Sequence, residues 1–93
     1  MAKSIITDDM STCYLCGGRA TEVHHCMHGY GNRKAAERYG LTVGLCHWCH
    51  NEPPRGVHFN PDTDLLLKQA AQRAFEAKYS RAEWLAVFMR NYL

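Results

Sequence analysis

The apolar positions divide this chain into two stretches with different periods. Across residues 62–79 no glycine or proline interrupts the chain, and Leu67, Ala70, Ala71, Ala74 and Phe75 recur at helical spacing. That spacing predicts an amphipathic helix with a single apolar stripe. Pro61 suits its first position, because the amide that proline lacks would have had no partner there. Ser80-Arg81-Ala82-Glu83 then fits the capping-box pattern, in which serine and glutamate satisfy each other's free amides. A second, shorter helix should follow, with Trp84, Leu85, Val87 and Phe88 turned inward. Ahead of Asn60 the apolar runs are short. Residues 21–27 and 41–45 have strand length, and Asn32–Tyr39 reads as a short helix that Gly40 stops as a left-handed cap. A further helix should begin near Cys46 and end by Pro53-Pro54, which cannot continue it.

No internal repeat or low-complexity stretch appears, and the composition changes once, near Asn60. All 5 cysteines and all 6 histidines lie before that point. The 93 residues make one domain. It is expected to comprise a flexible N-terminal tail (1–12), a metal-stapled core (13–60) and a helical extension of the same domain (61–93). A core of this size is modest, so an additional staple is expected. Residues 1–12 carry no apolar run of signal-peptide length, and no segment approaches the roughly 20 apolar residues that span a bilayer. A cytoplasmic protein with no membrane partner is therefore expected, and there paired cysteines are metal ligands more often than disulfides. The formal net charge of +2 does not by itself indicate a nucleic-acid partner. Arg33, Lys34 and Arg38 form the best local basic cluster, as nucleic-acid contacts or as an ordinary solvated helix face.

Cys13-Tyr14-Leu15-Cys16 and Cys46-His47-Trp48-Cys49 are two Cys-x-x-Cys pairs. Two intervening residues let both sulfurs reach one tetrahedral Zn²⁺, and the second pair closes the shell. Cys13, Cys16, Cys46 and Cys49 are thus the expected ligands of a structural zinc, with no open position for chemistry. Thioredoxin-like redox chemistry would need a single such pair in a βαβ setting, and neither condition is met. Cys46-His47-Trp48-Cys49-His50 also matches the c-type haem attachment pattern, but that reading needs export and leaves the first pair unemployed. Cys26 is expected to be a small buried hydrophobe.

Glu22-Val23-His24-His25 follows the first cysteine pair, and Leu45-Cys46-His47-Trp48-Cys49-His50-Asn51 carries the second. Together these segments resemble the HNH endonucleases, or ββα-metal nucleases, above all the small phage and prophage members with a four-cysteine structural zinc. The resemblance covers roughly residues 13–58. It implies a small α+β fold, a zinc-stapled ββα-metal core to which the two C-terminal helices are appended. It also implies DNA as partner, without strong sequence specificity, and cleavage to a 5′-phosphate and a 3′-hydroxyl.

Carried onto this chain, the resemblance makes His24 a ligand of a catalytic divalent metal (Mg²⁺, Mn²⁺, Ni²⁺ or Zn²⁺) and His25 the general base. His50 becomes the second ligand, with His58, in preference to His47, as a third. Neutral imidazole can accept a proton from water at physiological pH, and the cation acts as a Lewis acid on the phosphate. The family's bracing asparagine, about five residues before the third zinc cysteine, is replaced here by Leu41. Asn32 or backbone is expected to take that part. Neighbours on a regular strand face opposite sides, so His24 and His25 share a site only if the strand ends or bulges there. Against catalysis stands a zinc-ribbon-like module that binds nucleic acid or protein without cutting. Oligomeric state is open, with a monomer as the simplest case.

Overall fold

Two four-residue strands pair antiparallel and set the frame for everything else. In the computed structural model, which describes residues 2–93, they are β1 (Glu22–His25) and β2 (Thr42–Leu45). Their register pairs Glu22 with Leu45, Val23 with Gly44, His24 with Val43 and His25 with Thr42. Between them lies helix α1 (Asn32–Tyr39). After β2 come α2 (His47–Asn51), a single 3-10 turn (Val57–Phe59), α3 (Pro61–Lys78) and α4 (Arg81–Phe88). The architecture is small α+β, with a two-stranded sheet and four α-helices.

Local sequence accounts for most of the boundaries. Gly40 adopts the left-handed conformation that closes α1 (φ 71°), and its amide donates to the Ala36 carbonyl. Pro61 opens α3 behind an Asn60 cap, whose Oδ1 accepts from the amides of Asp62 (3.2 Å) and Thr63 (3.3 Å). Ser80 caps α4 by accepting from the Glu83 amide at 3.1 Å. The reciprocal half of the capping box takes a different form. The Glu83 carboxylate accepts from the Ser80 hydroxyl at 3.1 Å instead of reaching the Ser80 amide. The strand expected over 21–27 is shorter, because the chain bends at Cys26 and Met27 just past His25.

Residues 2–12, expected as a flexible tail, are laid along the sheet and α1. The Ile5 amide donates to Gly40 (2.9 Å), the Ala2 amide to Glu37 (3.1 Å), and the Ser4 hydroxyl to Thr42 (2.6 Å). Ile5 and Ile6 pack on the core. Two glycines permit the approach, since a Cβ at Gly40 would strike the Lys3 carbonyl and one at Gly44 the Met10 carbonyl. Short polar residues suggested a free segment, whereas backbone pairing and two isoleucines hold it down.

The core joins β2 to the C-terminal helices. Leu41, Val43, Leu45, Leu67, Ala71, Phe75 and Trp84 are fully buried or nearly so. Phe75 meets the Trp84 ring edge-on at 5.4 Å, and Trp84 and Phe88 lie 4.3 Å apart. The Trp84 indole donates to the Arg90 carbonyl at 2.8 Å. Gln72, buried in the stripe of α3, donates to Glu76 (2.7 Å) and Asn91 (2.8 Å) and accepts from the Tyr92 amide (2.8 Å), which leaves its amide satisfied. Leu85 departs from expectation and is 39% exposed. On a helix, positions 84 and 88 share the inward face, and position 85 turns about 100° away from 84. Among the described residues no helix is long and apolar enough to cross a membrane.

Trp84→Ala should therefore cost about 3–5 kcal/mol of stability, while Leu85→Ala should stay within about 0.5 kcal/mol. Urea unfolding of both variants at one fixed Zn²⁺ concentration checks the difference.

Candidate metal centres

The two Cys-x-x-Cys pairs converge. One sulfur from each of Cys13, Cys16, Cys46 and Cys49 lies within 4.8 Å of the others. Cys16 Sγ and Cys46 Sγ are 3.8 Å apart. A tetrahedral Zn²⁺ with bonds of about 2.3 Å has sulfur–sulfur edges of about 3.8 Å, so this spacing fits such an ion. The first pair sits in a tight loop closed by the Thr12–Arg19 bridge and by the Cys13 amide donating to Gly18 (2.7 Å). The second pair straddles the start of α2, where positions 46 and 49 lie on one face.

The thiols are strongly differentiated. Burial works against ionisation of Cys13, yet hydrogen bonds from the backbone around Cys46, Cys16 and Leu15 outweigh it and bring the thiol down to about 6. Burial pushes Cys49 up to about 12, opposed by the Arg55 guanidinium 3.2 Å from its sulfur. Four packed sulfurs cannot all carry charge without a cation among them, and a divalent ion removes that conflict. Cys26 lies apart, fully buried, its thiol pushed up to about 12 by burial and by Asp64.

A second cluster is made of imidazoles. One ring nitrogen from each of His24, His50 and His58 lies within 4.8 Å of the others. His50 Nε2 and His58 Nε2 are 3.0 Å apart, close to the edge of about 3.3 Å that metal–nitrogen bonds of 2.0–2.1 Å give. His24 is 1% exposed, and its Nε2 is a buried polar atom with no hydrogen-bond partner among the described residues. Such an orphan is costly unless something else takes its lone pair or proton. Burial, followed by the neighbouring His50, His58 and His28, drives the His24 imidazole down to about 3, so it is neutral and able to ligate. Burial and His50 also lower His58. The three rings fit a divalent cation.

His25 occupies the last position of β1 and lines the same cavity, although His24 faces the other side of the strand. The strand ends there, and the hollow wraps around its end. The cavity holds about 180 Å³ and is lined by Val23, His24, His25, His28, Arg33, His50 and His58. At about 30 Å³ per water, it accommodates several molecules. A larger hollow of about 520 Å³ opens beside Cys16, Cys49 and Arg55, where a four-sulfur shell closed around a metal would offer no open position for chemistry.

Other expected positions are distributed differently. His47 turns away from the trio, Nδ1 toward Glu22 (3.1 Å) and Nε2 toward Glu52 (2.8 Å), and both carboxylates raise its pKa, Glu52 the more. Asn32 opens α1 and donates to the His28 carbonyl at 3.3 Å, bracing the loop after β1 without touching His25. The basic cluster splits by helical angle. Arg33 lines the imidazole cavity, whereas Lys34 and Arg38 flank a separate groove beside Tyr39 and Val87.

Two carboxylates at the site were not anticipated. Glu22 shares the strand face of His24, and its Oε1 accepts from His50 Nδ1 (2.6 Å) and from the Asn51 amide (2.8 Å). Those His50 and His47 contacts hold its carboxyl below the usual range. With Nδ1 donating to Glu22, His50 presents Nε2 as a lone pair toward the trio. Glu37 of α1 lies 3.0 Å from His25 Nε2. A strand pattern places Glu22 two residues before His24 on one face, which could have revealed it. Glu37 belongs to another element, and no local pattern links it to His25. Comparisons with family models, with curated proteins and with solved structures return no match for this chain.

Cys46→Ser should abolish stoichiometric zinc binding and cooperative unfolding together, because binding at a structural zinc site is folding free energy. Metal analysis and thermal denaturation read the two effects. Glu22→Gln should keep zinc at the cysteines and weaken Ni²⁺ binding at the imidazole trio by about 10–100-fold, measured by calorimetric titration.

Proposed function

We propose that this chain is an HNH-type, metal-dependent DNA endonuclease that hydrolyses phosphodiester bonds, as a nickase or a double-strand cutter. The observation that carries the proposal is a composite one. A buried, unpartnered imidazole nitrogen (His24) faces two further imidazoles, beside a fourth ring (His25) that a carboxylate holds in place. A purely structural zinc module has no need of this second group, since four sulfurs already complete its staple.

In this mechanism each residue has one task. Glu37 accepts the Nε2 proton of His25, which selects the tautomer with a free lone pair on Nδ1. His25 Nδ1 takes a proton from the attacking water, whose oxygen bonds to phosphorus while the bond to the 3′ oxygen breaks. His24, His50 and His58 would hold a divalent cation, which when bound would supply Lewis acidity toward the phosphate and the departing oxygen. Glu22 keeps the Nε2 of His50 turned toward that cation. Arg33, on the cavity wall, offers a positive charge to the DNA backbone, with Lys34 and Arg38 as more distant phosphate contacts. Backbone contacts of this kind carry no sequence information, so weak sequence preference is expected. Asn32 braces the loop after β1 through the His28 carbonyl, and Glu37 orients the His25 ring itself.

A plasmid-nicking assay with Mg²⁺, Mn²⁺ or Ni²⁺, with and without chelator, tests the proposal. Wild-type protein should cut. His25→Ala should lose about 10²–10⁴-fold in rate while keeping its circular dichroism spectrum and its zinc. Retardation of DNA without cleavage, indifferent to His25→Ala, would mean a binding module instead.

A further inference from the structure

His28 is the one imidazole of the cavity to which the mechanism gives no task, and it too is held by a carboxylate. It follows β1 on the loop that Asn32 braces, and its Nε2 lies 2.8 Å from Asp64 Oδ1. The other oxygen of Asp64 is paired with Lys68 Nζ at 2.7 Å, one turn along α3. Burial opposes the Asp64 charge, but Lys68 and His28 outweigh it and hold the carboxyl below its usual range. A chain of three polar groups thus runs from the C-terminal helix to the wall of the imidazole cavity.

The ring is too far out to be a fourth ligand of the trio. Its centroid lies 5.7 Å from that of His58 and 6.1 Å from that of His24, and none of its nitrogens belongs to the set within 4.8 Å. It stands beyond the trio, on the wall of the same cavity. His28 lines this cavity and also the adjoining hollow of about 270 Å³ formed with Val57, His58, Phe59 and Asp64. With Nε2 committed to Asp64, Nδ1 is the ring nitrogen without a partner among the described residues.

A simple tether between a loop and a helix would not require this arrangement. Asp64 already has a full ion pair in Lys68, so it does not need His28 for neutralisation. An unmasked carboxylate at this place would repel a phosphodiester, and the Lys68 ammonium cancels that repulsion. What remains is an imidazole locked in orientation, backed by a neutralised carboxylate, with one nitrogen free beside a cation-binding trio. We propose that His28, positioned by Asp64 and Lys68, holds a non-bridging oxygen of the bound phosphate group with a proton on each ring nitrogen, Nε2–H donated to Asp64 and Nδ1–H to the phosphate, making α3 part of the site. This rests on the reading of the cavity as a phosphodiester site and assigns the phosphate-holding group within it.

The probe is inorganic phosphate, added to full-length protein carrying zinc at the cysteines and Mg²⁺ in excess. Side-chain nitrogen NMR should show the His28 Nδ1 resonance moving on titration, with saturation. Phosphate affinity should fall about tenfold or more in His28→Ala, as for loss of a charge-assisted hydrogen bond. In Asp64→Asn, which keeps the ring and loosens its anchor, the fall should be about threefold. Zn²⁺ content and Mg²⁺ affinity should be unchanged in both variants, which separates phosphate holding from a structural or ligating role. In the nicking assay, His28→Ala should lower kcat/KM by a similar factor.

Phosphate that leaves His28 Nδ1 unmoved and binds His28→Ala as well as wild type overturns the assignment, whatever the nicking result. If wild-type protein does not nick DNA but phosphate still moves His28, the phosphate site stands and the endonuclease reading fails.

Discussion

Four sulfurs converge from two segments of the chain, and a metal ion held among them would tie those segments together. Cys13 and Cys16 sit in a tight loop ahead of β1, and Cys46 and Cys49 sit where β2 runs into α2. The sheet has only two short strands, and sheets of that size are marginal in water. A metal clamp across its end would fix both the strand pairing and the angle at which α2 leaves the sheet. That angle brings His50 under Glu22, so the geometry of the imidazole cluster descends from the sulfur clamp. The apolar core, centred on Phe75 and Trp84, runs through Val43 and Leu45 of β2 to the buried Cys13 and Cys49 at this end of the sheet.

Four of the five imidazoles of the cavity are each fixed by a different neighbourhood. A free histidine ring can rotate and exists as two tautomers, so a site built from several of them needs orientation as much as proximity. His50 is held by Glu22 on β1, His25 by Glu37 on α1, and His28 by Asp64 on α3. His24 has no carboxylate and is fixed by burial. Three carboxylates around the imidazole pocket would ordinarily leave it strongly negative. Here Glu22 is spent on His47, His50 and Asn51, and Asp64 on Lys68. Glu37 is 41% exposed at its side chain, so water screens it. The carboxylates orient the rings while contributing little net field.

Much of this was legible in the sequence where the signal is local. The cysteine spacing, the α1 cap at Gly40, the start of α3 at Pro61 and the start of α4 after Ser80 depend on residues within one turn of each other. The imidazole trio depended on a family resemblance, since His24, His50 and His58 come from three elements and no periodicity relates them. The carboxylate partners were hidden for the same reason. Glu37 and Asp64 look like ordinary solvated helix charges until the helices are placed. The N-terminal segment was misread because its polar composition conceals backbone pairing with Gly40 and Thr42. Leu85 was misread because a run of apolar residues in a short helix does not reveal which of them occupies the rim.

The order Cys46-His47-Trp48-Cys49-His50 also explains why the two clusters cannot be independent. Successive residues on a helix point about 100° apart, while residues three apart share a face. Cys46 and Cys49 therefore turn together toward the sulfur clamp. His47 and His50 turn together toward Glu22, which accepts from both. One five-residue helix serves two clusters on two faces. So short a helix has almost no stability of its own, and its N-terminus lacks a side-chain cap. It persists because sulfur anchors one face and the Glu22 carboxylate the other. An ion among the sulfurs thus stiffens the face that carries His50, and removing it would cost the imidazole cluster its geometry before any imidazole was touched.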